Sequence, residues 1–274
     1  MFDALSGARF FSTLDLASGY WQVEVKNEDR PKTAFSVPCG LYEFQTMPFG
    51  LVNAPATFQR VMQKVLQDLV PNVCLVYLDD VIVLGKTIEE HLSNLEKVLI
   101  RIKQVELTLK PSKCYFLRPE VQYLGHIVSA EGTRTDPTKV SQVLSWPRPS
   151  NLEELRSFLG LASYYRKFIQ GFAQITEPLM RLTRKDVIFQ WDQQCEDAFL
   201  SLKEKLCSAP ILKFPDTTDH GGMFILDTDA SDTSIGAVLS QIDSDGRERV
   251  IAYGGRALNK SERNYCTTRK EMLA

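Results

Sequence analysis

The spacing of apolar and polar positions changes several times along the chain, and each change marks an element. Residues 10–16, FFSTLDL, alternate as a strand does, with Leu14 and Leu16 on one face and Asp15 on the other. VEVKNEDRPKTAFSV has strand-like ends around a charged turn. From Asn53 the repeat lengthens: Phe58, Val61, Met62, Val65, Leu66 and Leu69 line one side of a predicted helix, with Pro55 in its first turn and Pro71 beyond its end. LVYLDDVIVL (75–84) then reads as a buried strand interrupted by Asp79 and Asp80. In TIEEHLSNLEKVLIRIKQVEL, Thr87 and Glu90 make a capping box, and Leu92, Leu95, Leu99 and Ile102 give a second amphipathic helix. YFLRPEVQYLGHIV reads as a further strand pair. Strands alternating with helices over residues 10–130 predict a sheet with helices on one side.

Residues 129–150 are rich in turn formers and separate this region from a helical one. There Ser150 and Glu153 read as a capping box ahead of Leu152, Leu155, Phe158, Leu159 and Ala162. A third piece starts near FQWD (189–192). It holds a helix bearing Ala198, Phe199, Leu202 and Leu206, the strand GMFILDTDA, and a hairpin in VLSQIDSDGRERVIAY with Asp245-Gly246 at its turn.

Composition narrows the class only a little. The 274 residues are 44% hydrophobic and 24% charged, with a formal net charge of −2, so any nucleic-acid surface has to be a local patch. The six cysteines form no C-x-x-C pair, and His91, His126 and His220 are scattered, so no zinc-ligand spacing exists. Free thiols in a reducing compartment are the expectation. MFDALSGARFF lacks a basic segment followed by an apolar one, and no run approaches the roughly 18 apolar residues of a membrane helix. An intracellular, cytoplasmic protein without a membrane partner is expected.

The chemistry concentrates at Asp79-Asp80. Neighbouring strand residues point to opposite faces, but at the tip of a tight hairpin both can crowd one point. Two carboxylates that close raise each other's pKa unless a cation joins them, and a hard divalent ion favours carboxylate oxygens. Asp15, on its own strand, would complete a site for two metals. An exposed turn is the plain alternative, against which the apolar flanks CLVY and VIVL weigh.

FFSTLDLASGYWQ, KTAFSVPCGLYEFQTMPFGLVNAPATFQ, VYLDDVIV and YLGHIVS resemble, in order and spacing, successive motifs of reverse transcriptases, specifically of gypsy-type long-terminal-repeat retrotransposon Pol proteins. The resemblance implies that Asp15, Asp79 and Asp80 are catalytic carboxylates. They would bind two Mg²⁺ ions, with Mn²⁺ as an alternative, and the Leu16 carbonyl would be a further ligand. It makes Tyr20 the aromatic steric gate against a 2′-hydroxyl, and places Phe49 and Gly50 beside the incoming nucleotide and Lys113 near the leaving pyrophosphate. Tyr77 would lie against the primer end. VQYLGHIV, with Tyr123, Leu124 and Gly125, would be the primer grip. Arg156, Arg166, Lys167, Arg181, Arg184 and Lys185, set against Glu177 and interleaved with Tyr164, Tyr165 and Phe168, suit a thumb helix tracking a phosphate backbone.

FILDTDASDTSIGAVLSQ has a calcium-loop start in Asp227, Asp229 and Ser231. It fails where such a loop needs Gly and Glu, having Asp232 and Val238 there. The stretch resembles the opening strands of a retroelement ribonuclease H domain, with Asp229 and Glu271 as metal ligands. The family needs a further aspartate from a later strand, so no ribonuclease H cleavage is expected of this chain. Thr268 and Glu271 also read as a capping box.

The fold implied is α+β: a right-hand polymerase palm, an antiparallel sheet backed by helices, with partial fingers, a helical thumb and a truncated ribonuclease H-like sheet. The divisions are 1–130 for palm with fingers at about 22–48, 131–185 for thumb, 186–220 for connection and 221–274 for the ribonuclease H piece. The upstream fingers are expected to be absent. The implied partners are an RNA or DNA template with primer, deoxynucleoside triphosphates and other segments of a retroelement polyprotein. A truncated or domesticated remnant that binds nucleic acid without catalysis is the alternative. A generic metal-binding α/β protein would leave the ordered motifs unexplained.

Overall fold

A computed structural model describes residues 2–219 and 221–274, so Met1 and His220 lie outside the described residues. The chain divides after Leu124 into two compact units.

The first unit is built on β1 (Phe10–Asp15), β4 (Cys74–Tyr77), β5 (Asp80–Gly85) and β6 (Tyr115–Arg118). They form an antiparallel sheet in the order β4-β5-β1-β6. α1 (Ala54–Leu66) and α2 (Ile88–Gln104) cover one face, where Leu14, Val76, Val81 and Val83 share a buried cluster with Phe58, Met62, Leu66, Val98 and Ile102. Each such side chain contributes roughly 1.5–3 kcal/mol on burial. The helices therefore lie on one side, as the alternation of elements predicts. β7 (Glu120–Tyr123) closes the unit.

Two sequence expectations shift here. The buried stripe of α2 is His91, Asn94, Val98 and Ile102, while Leu92 is 52% exposed and Leu95 and Leu99 are half-buried. The helix is turned because its polar residues find partners under the sheet. Ser12 Oγ lies 2.7 Å from His91 Nε2, and Asn94 Nδ2 donates to the Leu84 carbonyl at 2.9 Å. Gly85 allows the approach, since a methyl there would stand 2.6 Å from His91 Cα. The second shift concerns VEVKNEDRPKTAFSV, of which β2 (Phe35–Val37) pairs with β3 (Gly40–Tyr42). Val23–Val25 contributes only the isolated Glu24–Thr46 bridge, and the middle closes a 3-10 turn over Arg30–Thr33 around Pro31. Thr87 caps α2 as expected, accepting from the Glu90 amide at 3.2 Å, and Glu90 accepts in return from the Lys86 amide.

In the second unit β8 (His126–Ser129) and β9 (Gly132–Thr135) form a hairpin, followed by α3 (Pro137–Leu144). Residues 129–150 are thus more structured than their turn formers suggest. Asp136 caps α3 by accepting from the Thr138 amide at 2.9 Å, and Pro137 sits in the first turn, where its missing N–H costs nothing. α4 (Leu152–Tyr164) starts one residue later than the Ser150–Glu153 reading. Asn151 accepts from the Glu154 amide at 2.9 Å, and Glu154 accepts from the Ser150 amide at 2.7 Å. α5 (Phe172–Leu182) and α6 (Gln193–Cys207) complete a core of Leu155, Phe158, Phe168, Leu179, Phe199 and Leu202. β10 (Phe224–Ala230), β11 (Ser234–Ile242) and β12 (Glu248–Ala257) form an antiparallel sheet in that order. Asp245-Gly246 lies in a loop closed by the Asp243 amide on the Arg247 carbonyl at 2.7 Å, longer than a two-residue turn. α7 (Thr267–Leu273) begins behind Cys266 without a side-chain cap, so the Thr268–Glu271 box does not form.

Candidate functional site

β4 and β5 are joined by Leu78 and Asp79 alone, with Tyr77 opposite Asp80. A turn this tight forces a positive φ, and Leu78 takes 54° without being glycine. Its amide donates to Gln59 Oε1 of α1 at 2.6 Å, which fastens the tip to the helix layer. Gln59 was not anticipated from the sequence; the available signal was an amide flanked by the core residue Phe58. On the neighbouring strand Asp15 is the register partner of Asp80. The break in alternation expected at Asp79-Asp80 is therefore present, and Asp15 lies beside it.

Behind Asp15 the chain is clamped. The Lys110 amide donates to the Asp15 carbonyl at 2.8 Å, the Ala17 amide to the Thr108 carbonyl at 2.9 Å, and Leu16 stands opposite Leu109 in a single bridge. Gln22 adds a side-chain clamp, donating to the Ala17 carbonyl at 2.6 Å and accepting from the Thr108 amide at 2.7 Å. The same anchoring presents Lys113, whose Nζ lies 3.2 Å from Asp15 Oδ2.

Partial desolvation, then the charges of Asp79 and Asp15, push the Asp80 carboxyl above the ordinary aspartate range, and Lys113 pulls against them. The group is short of positive charge. Hard oxygen donors crowded to that point fit a divalent cation. Among the described residues no three acidic, His or Cys side chains are close enough to enclose one. The donor chemistry fits; the enclosure is not preformed, and Asp15 is turned to Lys113.

Aromatic rings line the approach. Tyr20, on the 3-10 turn Gly19–Gln22, packs against Phe49 with ring centres 5.3 Å apart and against Phe58 at 5.5 Å. Burial, then the Asp79 charge, raise its phenol above the usual range. Phe49 is 62% exposed, and Gly50 beside it takes φ 93° with open space around the missing Cβ. Tyr77 is 46% exposed at the tip.

The remaining site residues are placed differently. Tyr123 is buried, and its hydroxyl has no hydrogen-bond partner among the described residues. Leu124 and Gly125 both take positive φ. In the second unit Tyr165 OH donates to the Gly125 carbonyl at 2.6 Å. Arg166 and Lys167 lie on a short 3-10 helix between α4 and α5, not on an α-helix, and Lys167 rests over the Phe168 ring. Tyr165 and Phe168 belong to the core, while Arg181 and Arg184 bond to Asp192 and Glu177. The basic stretch is therefore less of a free cationic stripe than its sequence suggests. Asp229 lies on β10 opposite Gly236, and α7, which carries Glu271, packs against β10. Beside Glu271, Lys270 is buried on Asp232 at 2.8 Å.

Comparison with known proteins gives the site a context. Residues 1–128 match a family model described as reverse transcriptase (RNA-dependent DNA polymerase), and residues 191–274 match one for the RNase H-like domain found in reverse transcriptase. The Pol polyprotein of the Drosophila melanogaster transposon opus is 46% identical over 99% of this chain, which spans 28% of that relative. That of transposon gypsy, from the same organism, is 40% identical over 98% of this chain and 26% of its own length. A foamy viral protease-reverse transcriptase in complex with double-stranded DNA superposes with a TM-score of 0.85 at 25% identity, over 97% of this chain and 46% of its own.

Proposed function

The chain belongs to the retrotransposon Pol family, as a reverse transcriptase domain followed by an RNase H-like domain, and on that premise we propose that its first unit is the nucleotidyl-transfer centre of an RNA-directed DNA polymerase. The observation that carries this reading is the pairing of Asp15 with Asp80 across β1 and β5, with Asp79 on the two-residue tip.

Asp15, Asp79 and Asp80, with the Leu16 carbonyl, would hold two Mg²⁺ ions. When bound, such ions supply charge neutralisation and in-line alignment for displacement at a phosphate. The chain's own residues do the rest. Tyr20, wedged between Phe49 and Phe58, forms a wall against the sugar and excludes a 2′-hydroxyl. Phe49 and the open space at Gly50 receive the nucleotide by packing. Lys113 meets phosphate oxygens, Tyr77 supports the primer end, and the Tyr123–Gly125 segment bears on the primer strand. Arg166 and Lys167 contact the nucleic-acid backbone. In the second unit Asp229 and Glu271 belong to the RNase H-like site. Palm with partial fingers over 1–130, thumb over 131–185, connection over 186–220 and RNase H-like piece over 221–274 is the division we propose. The substrates are a primed RNA or DNA template and deoxynucleoside triphosphates, and other Pol segments are the partners. No helix among the described residues is long and apolar enough to cross a membrane.

Extension of a labelled DNA primer on an RNA template tests the reading. Wild-type chain with Mg²⁺ and all four nucleotides is expected to extend and Asp79→Asn is not. Binding of the primed template with extension by neither protein would overturn the polymerase reading in favour of a non-catalytic nucleic-acid binder.

A further inference from the structure

The Lys113–Asp15 contact joins an ammonium to a carboxylate that the proposed function assigns to a divalent cation. Lys113 ends a short 3-10 turn, Pro111–Lys113, whose preceding residue is tied to β1 by the Lys110 amide on the Asp15 carbonyl at 2.8 Å. The backbone therefore keeps the amine within reach of the carboxylates, while its four-carbon stem leaves the head free to turn. The Lys113 side chain is 57% exposed and that of Asp15 22% exposed, and a pair so open to solvent holds weakly. Lys113 is also the cation that lowers Asp80 against the crowding of Asp79 and Asp15.

We propose that Lys113 is an exchangeable counter-ion: its ammonium holds Asp15 while no divalent cation is bound, and leaves that carboxylate when one binds. This rests on the carboxylate reading given above. The electrostatics set the direction. Three aspartates and one lysine carry a formal −2, which favours an ammonium nearby. A doubly charged cation on the same oxygens cuts the local charge from −3 to −1, competes for the Asp15 oxygens the ammonium holds, and repels the ammonium directly. Once released, the ammonium is within reach of an incoming triphosphate, which offers more charge-assisted bonds than a single partly exposed carboxylate. Lys113 thus stands in for the cation at rest and becomes available to substrate only after loading. The turn at Pro111 and the Asp15–Lys110 tie let one side chain serve both states without movement of β1.

The test follows the lysine, not turnover. With lysine labelled at Cε, the Lys113 resonance, assigned by its loss in Lys113→Gln, is followed during a Mg²⁺ titration of the full chain, and calorimetry reads binding in parallel. The resonance is expected to shift with the same midpoint as the heat. In Asp15→Asn it should start at the released position and stay there, and Lys113→Gln should bind Mg²⁺ about two- to five-fold more tightly than wild type. Binding heat with a stationary Lys113 resonance, or weaker binding by Lys113→Gln, overturns the exchange while leaving the carboxylate reading intact. Absence of Mg²⁺ binding in the wild type overturns both.

Discussion

Asp15 and Asp80 stand opposite each other on antiparallel β1 and β5, so two carboxylates meet across a sheet, beside Leu14 and Val81 of the buried apolar cluster. Asp79 is added by a tip only two residues long, which Gln59 holds from α1. Folding thus forces like charges together, and that has consequences for stability as well as for chemistry.

The first concerns Asp80. Its folded-state pKa is raised, so the protonated form stabilises the fold. That contribution is present below the unfolded aspartate value and is lost as pH rises through the folded one. At neutral pH the charged group therefore costs stability. Asp80→Asn is expected to stabilise the fold at pH 7 by about 0.5–1 kcal/mol once solvent screening is allowed for, and so to raise the melting temperature, while reducing primer extension at least about a hundred-fold. Thermal melts at pH 7 and pH 3.5, where the gain should vanish, check it.

His91 gives the opposite pH window. Burial lowers its pKa below 6.5, against the carbonyls of Leu84 and Phe10. The folded state resists protonation, so the stability present above about pH 6.5 falls as pH drops through the folded value. Urea unfolding between pH 7.5 and 5 should show this loss, and His91→Gln should flatten the slope in that range.

Two glycines separate contact from backbone strain. Gly85→Ala places a methyl 2.6 Å from His91 Cα and is expected to cost about 1–3 kcal/mol, because a strand and a helix must part. Gly50→Ala meets nothing within 4 Å but keeps φ at 93°, and should cost roughly 1 kcal/mol. Its larger effect is expected on nucleotide KM. A smaller stability loss in Gly85→Ala than in Gly50→Ala would contradict the contrast.

Tyr20 packs on Phe49 and Phe58, so shortening it opens the wall proposed to face the sugar. Tyr20→Val is expected to raise ribonucleotide use relative to deoxyribonucleotide use at least about ten-fold, with part of the deoxyribonucleotide rate retained. Competition between paired triphosphates in single-nucleotide extension measures the ratio. An unchanged ratio would remove Tyr20 from the gate.

The sheet, the helix layer and the carboxylate tip were legible because each follows from local pattern: alternation in FFSTLDL, a 3.6-residue repeat after Asn53, and acids interrupting an apolar run. The phase of α2 was not. Hydropathy counts His91 and Asn94 as surface residues, and nothing local reveals that Ser12 and the Leu84 carbonyl await them. β9 and α3 were hidden by Pro and Gly in residues 129–150, although Asp136-Pro137 carried a helix start. The basic stretch misled in the other direction. Tyr165 and Phe168 serve the core and two of its arginines bond to acids, one of them on a later segment. Long-range partners, in each instance, decided what local pattern left open.

Anomalous diffraction from crystals of the full chain soaked in Mn²⁺ tests most directly whether these carboxylates act together. We expect a peak bounded by Asp15, Asp79 and Asp80 in the wild type, lost in Asp79→Asn. A peak elsewhere, or none near Asp15 at saturating Mn²⁺, would contradict the shared cation site.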